Sequence, residues 1–349
     1  MVFAGPEQAW TVVDPRVEVV RDFPANDRRP ARLWADHVRV GPAARARGAA
    51  ALLTVGFMPL RTGGLPVVMH VFSVHHLRTG ARGGPGAWYR RWAVARGLRQ
   101  AALVIANSRW TAEQLGAGGG RTAGGAGGKK RAPGRVLVSY EGVDHGRFHA
   151  DLTAEDEAVR AREGWPREYL LWASNFYDYK RAELAIAAYA RLAPEWRKRF
   201  PLVMAGGDWA GGRARAEQAA REGGVERDVR FLGWVDDAVL PALNRGARAL
   251  VLATREETFG RSVAEAMACG CPCVVQDLPV LREVTAGAAL LVDFADTAAA
   301  GAALAKICRE DETVARLRVA GVRRAQAFSF EQLARERVAA IVSILGAKR

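Results

Sequence analysis

The 349-residue sequence lacks the features that would place a protein in a membrane or outside the cell. No apolar run approaches the roughly 20 residues that a membrane-spanning helix needs. The first ten residues, MVFAGPEQAW, do not show the basic and then apolar layout of a signal peptide. Only four cysteines are present, and their spacing does not fit a disulfide framework. We therefore expect a cytoplasmic protein.

Three of the four cysteines lie close together, at Cys269, Cys271 and Cys273. Such a group could suggest a metal site. As alternate residues of one segment, we expect their side chains to lie on opposite faces of a strand and not to converge. We interpret them as small buried hydrophobic side chains, and we predict no metal site.

Positive charge is concentrated in the first half of the chain. Residues 1–150 contain 22 Lys and Arg against 9 Asp and Glu, whereas residues 151–349 contain 29 against 28. This asymmetry indicates an anionic partner for the first half, unless it reflects only a GC-rich genome that favours Arg codons. The strongest candidate for contact with an anionic membrane is residues 85–135, with ten Lys and Arg and one acid. The first half lacks a recognition motif or aromatic stacking platform, so we expect no nucleic acid partner.

The length and the 50% of hydrophobic residues predict two domains with separate cores. In the second half, five short apolar runs alternate with Ala-rich stretches of helical spacing. This pattern is typical of a doubly wound parallel sheet, whose ligand binds beyond the carboxyl ends of the strands. The first half shows the same alternation less regularly. The predicted strands are residues 51–55, 66–72, 102–106, 135–140, 169–174, 201–206, 229–233, 248–253 and 272–276.

The most informative segment is EETFGRSVAEAMACGCPCVV, which follows one predicted strand and enters a predicted helix. Its carboxylates Glu257 and Glu265 flank the turn and can face a single cleft. The backbone N–H groups near Gly260, Arg261 and Ser262 would be unpaired at the helix start, where a diphosphate binds favourably. A carboxylate can accept two hydrogen bonds from a vicinal diol, so one Glu suits a sugar and the other a ribose.

This segment resembles the signature of glycosyltransferase family 4, the group 1 glycosyl transferases, which are retaining enzymes of the GT-B fold. The resemblance extends over most of the chain. In the second half it includes LLWASNFYDYKRAELAIAAYARL, VRFLGWVDDAVLPALNRGARALVLATREETFGRSVAEAMACG and LPVLREVTAGAALLVD, in which Glu283 takes the usual acidic position. In the first half it includes VIANSRWTAEQL and YEGVDHGRF.

The resemblance implies an α/β GT-B architecture of two facing Rossmann-like domains with a cleft between them. The acceptor-side domain would span residues 1–150 and the nucleotide-sugar donor domain residues 151–327. Residues 328–349 would form a C-terminal helix that packs back toward the first domain. Such enzymes are typically metal-independent, and no Asp-x-Asp motif stands out, so we expect no cofactor besides the donor as co-substrate.

The implied function is transfer of a hexose, with mannose as a candidate, from a GDP- or UDP-linked sugar to a glycan or lipid-phosphate-linked acceptor. We expect a role in cell-envelope polysaccharide biosynthesis, at the inner face of the membrane. Two alternatives stay open. One is an epimerase-like enzyme that acts on sugar nucleotides with the same fold, and the other is a catalytically impaired homologue that only binds them.

The resemblance also implies roles for individual residues. Lys180 would neutralise the donor diphosphate, whose charge grows as the glycosidic bond breaks. Glu257 would bind the hydroxyls of the transferred sugar and Glu265 those of the ribose. The other predicted donor-binding residues are Phe259 and Gly260, which would shape the turn beneath the sugar, Arg261, Ser262 and Ser174, and Val235, where with Trp234 the base would rest.

The first half departs from the family pattern in two places. The family carries a His-Asp pair just after the strand that corresponds to PVVMHVF, and here Phe72 and Ser73 take those positions. We predict that His75 or His76, a few residues later, substitutes as a catalytic residue. Nothing in residues 1–30 resembles the family's first strand and glycine-rich loop. Either the native start lies upstream, or this domain is shortened.

Overall fold

The computed structural model shows an α/β protein whose paired strands all run in parallel. Residue contacts divide it into two units. The first unit contains residues 1–107, 111–139 and 336–349, and the second contains 108–110 and 140–335. The predicted α/β class with two parallel sheets is confirmed. The structure describes residues 1–3, 17–21, 23–24, 28–74, 85–116, 135–209 and 211–346.

The second unit is built on a six-stranded sheet in the order β12-β11-β10-β7-β8-β9. The chain adds β8 and β9 on one side of β7, then returns to the other side and adds β10, β11 and β12. The reversal places the topological switch point of the sheet between β7 and β10. The strands are β7 Leu170–Ala173, β8 Leu202–Ala205, β9 Val229–Gly233, β10 Ala249–Leu252, β11 Cys273–Gln276 and β12 Leu290–Val292.

Both faces of this sheet are covered, which explains why its strands are continuous apolar runs. Successive residues of β7 enter different cores, with Leu171 in one cluster and Leu170 and Trp172 in the other. The helices are α5 Ala154–Arg162, α6 Ala182–Tyr189, α7 Pro194–Arg199, α8 Gly212–Glu222, α9 Leu240–Gly246, α10 Arg261–Ala268, α11 Pro279–Thr285, α12 Thr297–Arg309 and α13 Asp311–Ala325.

The first unit contains a four-stranded sheet in the order β3-β4-β5-β6 and a separate pair, β1 with β2. Its strands are β1 Val2–Phe3, β2 Val19–Val20, β3 Leu52–Val55, β4 Val67–Val71, β5 Leu103–Ala106 and β6 Val136–Val138. Its helices are α1 Arg29–Trp34, a π-helical turn Ala35–Arg39, α2 Val40–Ala46, α3 Pro85–Gln100 and α4 Arg109–Gln114, whose first two residues belong to the second unit.

The last helix, α14 Phe330–Gly346, follows a 3-10 turn at Gln326–Phe328. The distal part of α14 belongs to the first unit, where Ile344 packs against Val68 of β4. In the described part of the chain, no helix is long and apolar enough to cross a bilayer.

The three clustered cysteines are buried, as predicted, but they do not lie on opposite faces of a strand. Cys269, Cys271 and Cys273 all belong to the same core cluster of the second unit. The expectation was wrong because residues two apart along an extended chain share a face. Burial raises the pKa of the Cys269 thiol to about 12, so the group is a neutral core side chain. The described residues contain no cluster of His, Cys, Asp and Glu suited to a metal ion.

Candidate functional site

Two loops meet at the switch point of the second unit, one after β7 and one after β10. The β7 loop contains a 3-10 turn, Asp178–Lys180. The carbonyl oxygen of Tyr179 accepts a hydrogen bond from the backbone N–H of Arg255 at 2.7 Å. The end of β10 therefore fixes the position of the turn that carries Lys180.

Lys180 and Glu257, which are 77 residues apart in the sequence, form an ion pair at this point. The Lys180 ammonium donates to Oε1 of Glu257, and the two side chains are only 14% and 12% exposed. The ammonium also lies 5.4 Å from the ring centroid of Tyr179. Because little water screens the pair, its charges act strongly on a ligand at the switch point. A cation that suits a diphosphate thus lies beside a carboxylate that suits sugar hydroxyls.

Arg181 holds this arrangement, and no sequence pattern pointed to it. Its backbone is left-handed, with φ 49° and ψ 50°, a conformation that costs an L-residue about 1–3 kcal/mol. Its guanidinium donates to the carbonyl of Ala253 at 2.9 Å and to Oε1 of Gln276 at 2.7 Å. These contacts join the ends of β10 and β11 to the residue that follows Lys180, and they maintain the strained backbone.

Gly260 allows the tight turn into α10. Its φ is 96°, and a Cβ there would lie 2.7 Å from Cδ2 of Leu281. Within the described chain no side chain caps α10. The N–H groups of its first residues, Arg261 and Ser262, are therefore candidates to bind an anion at the positive end of the helix dipole.

Glu265 lies one turn into α10, with its side chain 15% exposed. Burial raises the pKa of its carboxyl, and the Arg261 guanidinium, whose Nε donates to Oε1 at 2.9 Å, works in the opposite direction. The charge of Asp237 adds to the increase. A carboxylate that is costly to ionise in the folded protein would be stabilised by hydroxyl donors such as those of a ribose.

The other predicted donor-binding residues occupy different environments. Phe259 is 1% exposed and packs against Tyr140 and Phe328, with ring centroids 5.9 and 5.2 Å away. Its side chain can therefore affect a ligand only through the turn that it anchors. Val235 packs on the core as a half-buried residue, and Ser174 donates its backbone N–H to Ala205 at 2.9 Å.

Glu283 has a local structural role. Its two carboxylate oxygens accept the backbone N–H groups of Arg109 at 2.7 Å and Trp110 at 3.0 Å. These are the first residues of α4, where a negatively charged hydrogen-bond acceptor is favourable. The neighbouring Ser108 hydroxyl donates to the carbonyl of Thr258 at 2.7 Å, so residues 108–110 are bound to the loop that carries Glu257.

In the first unit, the end of β4 carries a different set of groups. Phe72 and Ser73 follow the strand, and Phe72 is 40% exposed. Its ring centroid lies 3.9 Å from that of His70, which is 5% exposed. Burial, aided by the positive charge of Arg337, lowers the pKa of His70 to about 4. His75 and His76, the predicted catalytic histidines, lie outside the described residues.

Comparison with known proteins finds a family match within the second unit. Residues 155–324 match the family model of "Glycosyl transferases group 1". This segment is similar to the group 1 glycosyl transferases. It contains Lys180, Glu257 and Glu265, and the observed match agrees with the resemblance found from the sequence.

Named relatives include glycosyltransferases of two kinds. O-antigen chain mannosyltransferase B of Escherichia coli is 32% identical over 166 residues, which are 47% of this chain and 42% of that protein. D-inositol 3-phosphate glycosyltransferase of Nocardioides sp. is 30% identical over 222 residues, 58% of this chain and 47% of that protein. The chain therefore spans less than half the length of each relative.

Solved structures resemble a larger part of the chain. Sucrose-phosphate synthase from Thermosynechococcus elongatus is similar with a TM-score of 0.75 and 20% identity, covering 99% of this chain and 88% of that one. HepE of Anabaena, solved in complex with UDP and glucose, is similar with a TM-score of 0.66 and 21% identity, covering 80% and 72%. These likenesses confirm the predicted GT-B fold class.

Proposed function

We propose that the protein is a retaining glycosyltransferase that moves a hexose from a nucleotide-diphosphate sugar to a glycan or lipid-linked acceptor. The observation that carries this proposal is the Lys180–Glu257 pair at the switch point, next to the uncapped start of α10. A nucleoside diphosphate with a sugar attached requires a cation, free N–H groups and carboxylates within reach of each other. The loops after β7 and β10 provide all three.

The charges of this site match the way charge changes during transfer. When the bond between the sugar and the diphosphate breaks, negative charge grows on the leaving phosphate. The Lys180 ammonium and the N-terminus of α10 would stabilise that charge most strongly in the transition state, where it counts toward the rate. Lys180 would then interact with phosphate, leaving Glu257 to accept hydrogen bonds from the hydroxyls of the hexose.

The relatives support a hexose donor and leave two bases as candidates. A mannosyltransferase is among the named relatives, and the Anabaena neighbour was solved with UDP-glucose. We therefore propose a GDP- or UDP-linked hexose, with mannose as a candidate, and no metal cofactor. We also propose that the product belongs to a cell-envelope polysaccharide, as the O-antigen relative suggests.

A thermal-shift screen against GDP-, UDP- and ADP-hexoses tests donor binding. A ligand at 100 times its Kd stabilises the folded protein by about 2.7 kcal/mol, so one nucleotide class should raise Tm clearly. A labelled form of that donor then separates transfer from the alternatives. A glycosyltransferase labels an added acceptor, an epimerase changes the sugar without an acceptor, and an impaired homologue does neither.

We further propose that residues 85–135 contact an anionic membrane at the inner face. In the described part of this region, α3 exposes Trp88 at 69% together with the cations Arg91 and Arg99. An exposed indole beside guanidinium groups suits the boundary between lipid headgroups and acyl chains. Sedimentation with anionic vesicles at low salt should retain the protein, and Trp88→Ala should weaken retention. Equal sedimentation with neutral vesicles would contradict the proposal.

A further inference from the structure

The loops after β7, β8 and β9 form a floor of bare backbone beside the candidate site. The N–H of Gly206 donates to the carbonyl of Gly233 at 2.7 Å, and the N–H of Gly207 donates to Oδ1 of Asn175 at 3.0 Å. A Cβ at Gly206 would lie 1.7 Å from the carbonyl oxygen of Ser174. Only glycine permits this approach, so the loops after β7 and β8 pack backbone against backbone at this floor.

Two exposed indoles border this floor. Trp209 is 69% exposed and Trp234, which follows Gly233, is 68% exposed. The Nε1 atom of Trp209 lies 2.8 Å from the position that a Cβ of Gly207 would take, so its indole covers that part of the floor. Among the described residues, no aromatic ring contact involves either indole. Two large aromatic surfaces left open at one floor indicate a binding surface for a planar group.

The position of this floor fits the nucleoside end of a donor. It extends over the ends of β8 and β9, and β9 lies two strand spacings, about 10 Å, from β7. Lys180 follows β7 and would hold the diphosphate. Asp237, in the loop after β9, is near enough to Glu265 for its charge to act on that carboxyl. A ribose at Glu265 would thus direct its base toward the floor.

We propose that Trp209 stacks on the nucleobase of the donor and supplies much of the affinity for the nucleoside. This inference rests on the proposed function. Stacking uses the π-face that every base possesses, so Trp209 would strengthen binding of uridine and guanosine diphosphates alike. Discrimination between the two would then depend on backbone groups at the edge of the base. Trp209 would form the wall of the base site on the side of β8.

Titration of UDP, GDP and inorganic pyrophosphate against the full chain and three variants tests this. Trp209→Ala should raise the Kd of both nucleoside diphosphates about fivefold or more, and leave the Kd of pyrophosphate unchanged. Trp209→Phe should keep most of the affinity because it retains a ring. Trp34→Ala, which removes a 57% exposed indole from the first unit, is the matched control and should change none of the three values.

The possible results separate this inference from the proposed function. Unchanged Kd values for both nucleoside diphosphates in Trp209→Ala would overturn the stacking role, as would an equal loss for pyrophosphate. If Lys180→Met abolishes nucleotide binding while Trp209→Ala does not, the donor site stands and the inference about Trp209 fails. If the unaltered chain binds neither UDP nor GDP, the proposed function itself fails.

Discussion

The two parallel sheets carry different chemistry at the carboxyl ends of their strands. In the second unit, the loops after β7 and β10 bring Lys180 and Glu257 together, each less than 15% exposed. In the first unit, the end of β4 carries the half-exposed ring of Phe72 and the neutral, buried imidazole of His70. Charge that can stabilise a diphosphate is thus concentrated in one unit. The same architecture supports donor chemistry in the second unit, whereas in the first unit the described residues at the end of β4 are aromatic or neutral.

The charged site of the second unit should control turnover. Lys180→Met should lower the rate of sugar transfer by about 10²–10³-fold, because it removes the cation that opposes the growing charge of the leaving group. Lys198→Met, which removes an exposed lysine of α7, is the matched control and should leave the rate unchanged. A rate with labelled donor that falls equally in both variants would contradict the assignment of Lys180.

The same pair should control stability. Lys180→Met leaves the Glu257 carboxylate without its partner, and an uncompensated, largely buried charge should cost about 3 kcal/mol of unfolding free energy. The double variant with Glu257→Gln should recover most of this loss, because neither charge remains, but should stay inactive. Urea unfolding of the single and double variants measures both effects. A double variant no more stable than Lys180→Met would show that the pair is not coupled.

The buried groups of the two units should respond to pH in opposite directions. The folded-state pKa of His70 is about 4, below its ordinary value of 6.5. Between these values the unfolded chain binds a proton that the folded chain excludes, so the stability that His70 contributes is present above pH 6.5 and decreases as the pH falls toward 4. The loss should amount to roughly 3 kcal/mol. His70→Gln should flatten this decline in urea unfolding at a series of pH values. An unchanged profile would contradict the burial of a neutral imidazole.

Glu265 should show the opposite sign and a smaller effect. Its folded-state pKa is raised, so above its unfolded value the folded chain binds the proton more tightly and its contribution to stability decreases as pH rises. Glu265→Gln should therefore raise Tm at pH 7, and this gain should shrink near pH 4. The same variant should weaken donor binding about tenfold if the carboxylate accepts hydrogen bonds from ribose hydroxyls. A lower Tm at pH 7 would contradict this account of its burial.

Much of the fold follows from local patterns. Each of the nine predicted strands overlaps one of β3 to β11. Most of these strands are covered on both faces and leave uninterrupted apolar runs, whereas β3 exposes Leu53 and Val55. The helices α1 and α2 were not predicted, since residues 29–46 are rich in Arg and Ala without a clear apolar stripe. Their π-helical turn contains His37, whose ring contacts Tyr89 of α3. The two residues are 52 positions apart in the sequence, so no local pattern reveals their contact.

The candidate site, like the fold, could be predicted from local sequence patterns only in part. Glu257 and Glu265 could be predicted because the strand, turn and helix around them are contiguous in sequence. The pairing of Lys180 with Glu257 could not be predicted from spacing, because the two residues meet only through the order of strands in the sheet. Arg181 gave no signal at all, because a left-handed Arg is set by its contacts with Ala253 and Gln276 and not by its own preference.

Calorimetric titration of UDP- and GDP-hexoses tests the donor site most directly. We expect the unaltered chain to bind at least one of them in a one-to-one complex. Lys180→Met should lose that binding and Lys198→Met should retain it. Binding of equal affinity in Lys180→Met and the unaltered chain would contradict the placement of the diphosphate at the switch point of the second unit.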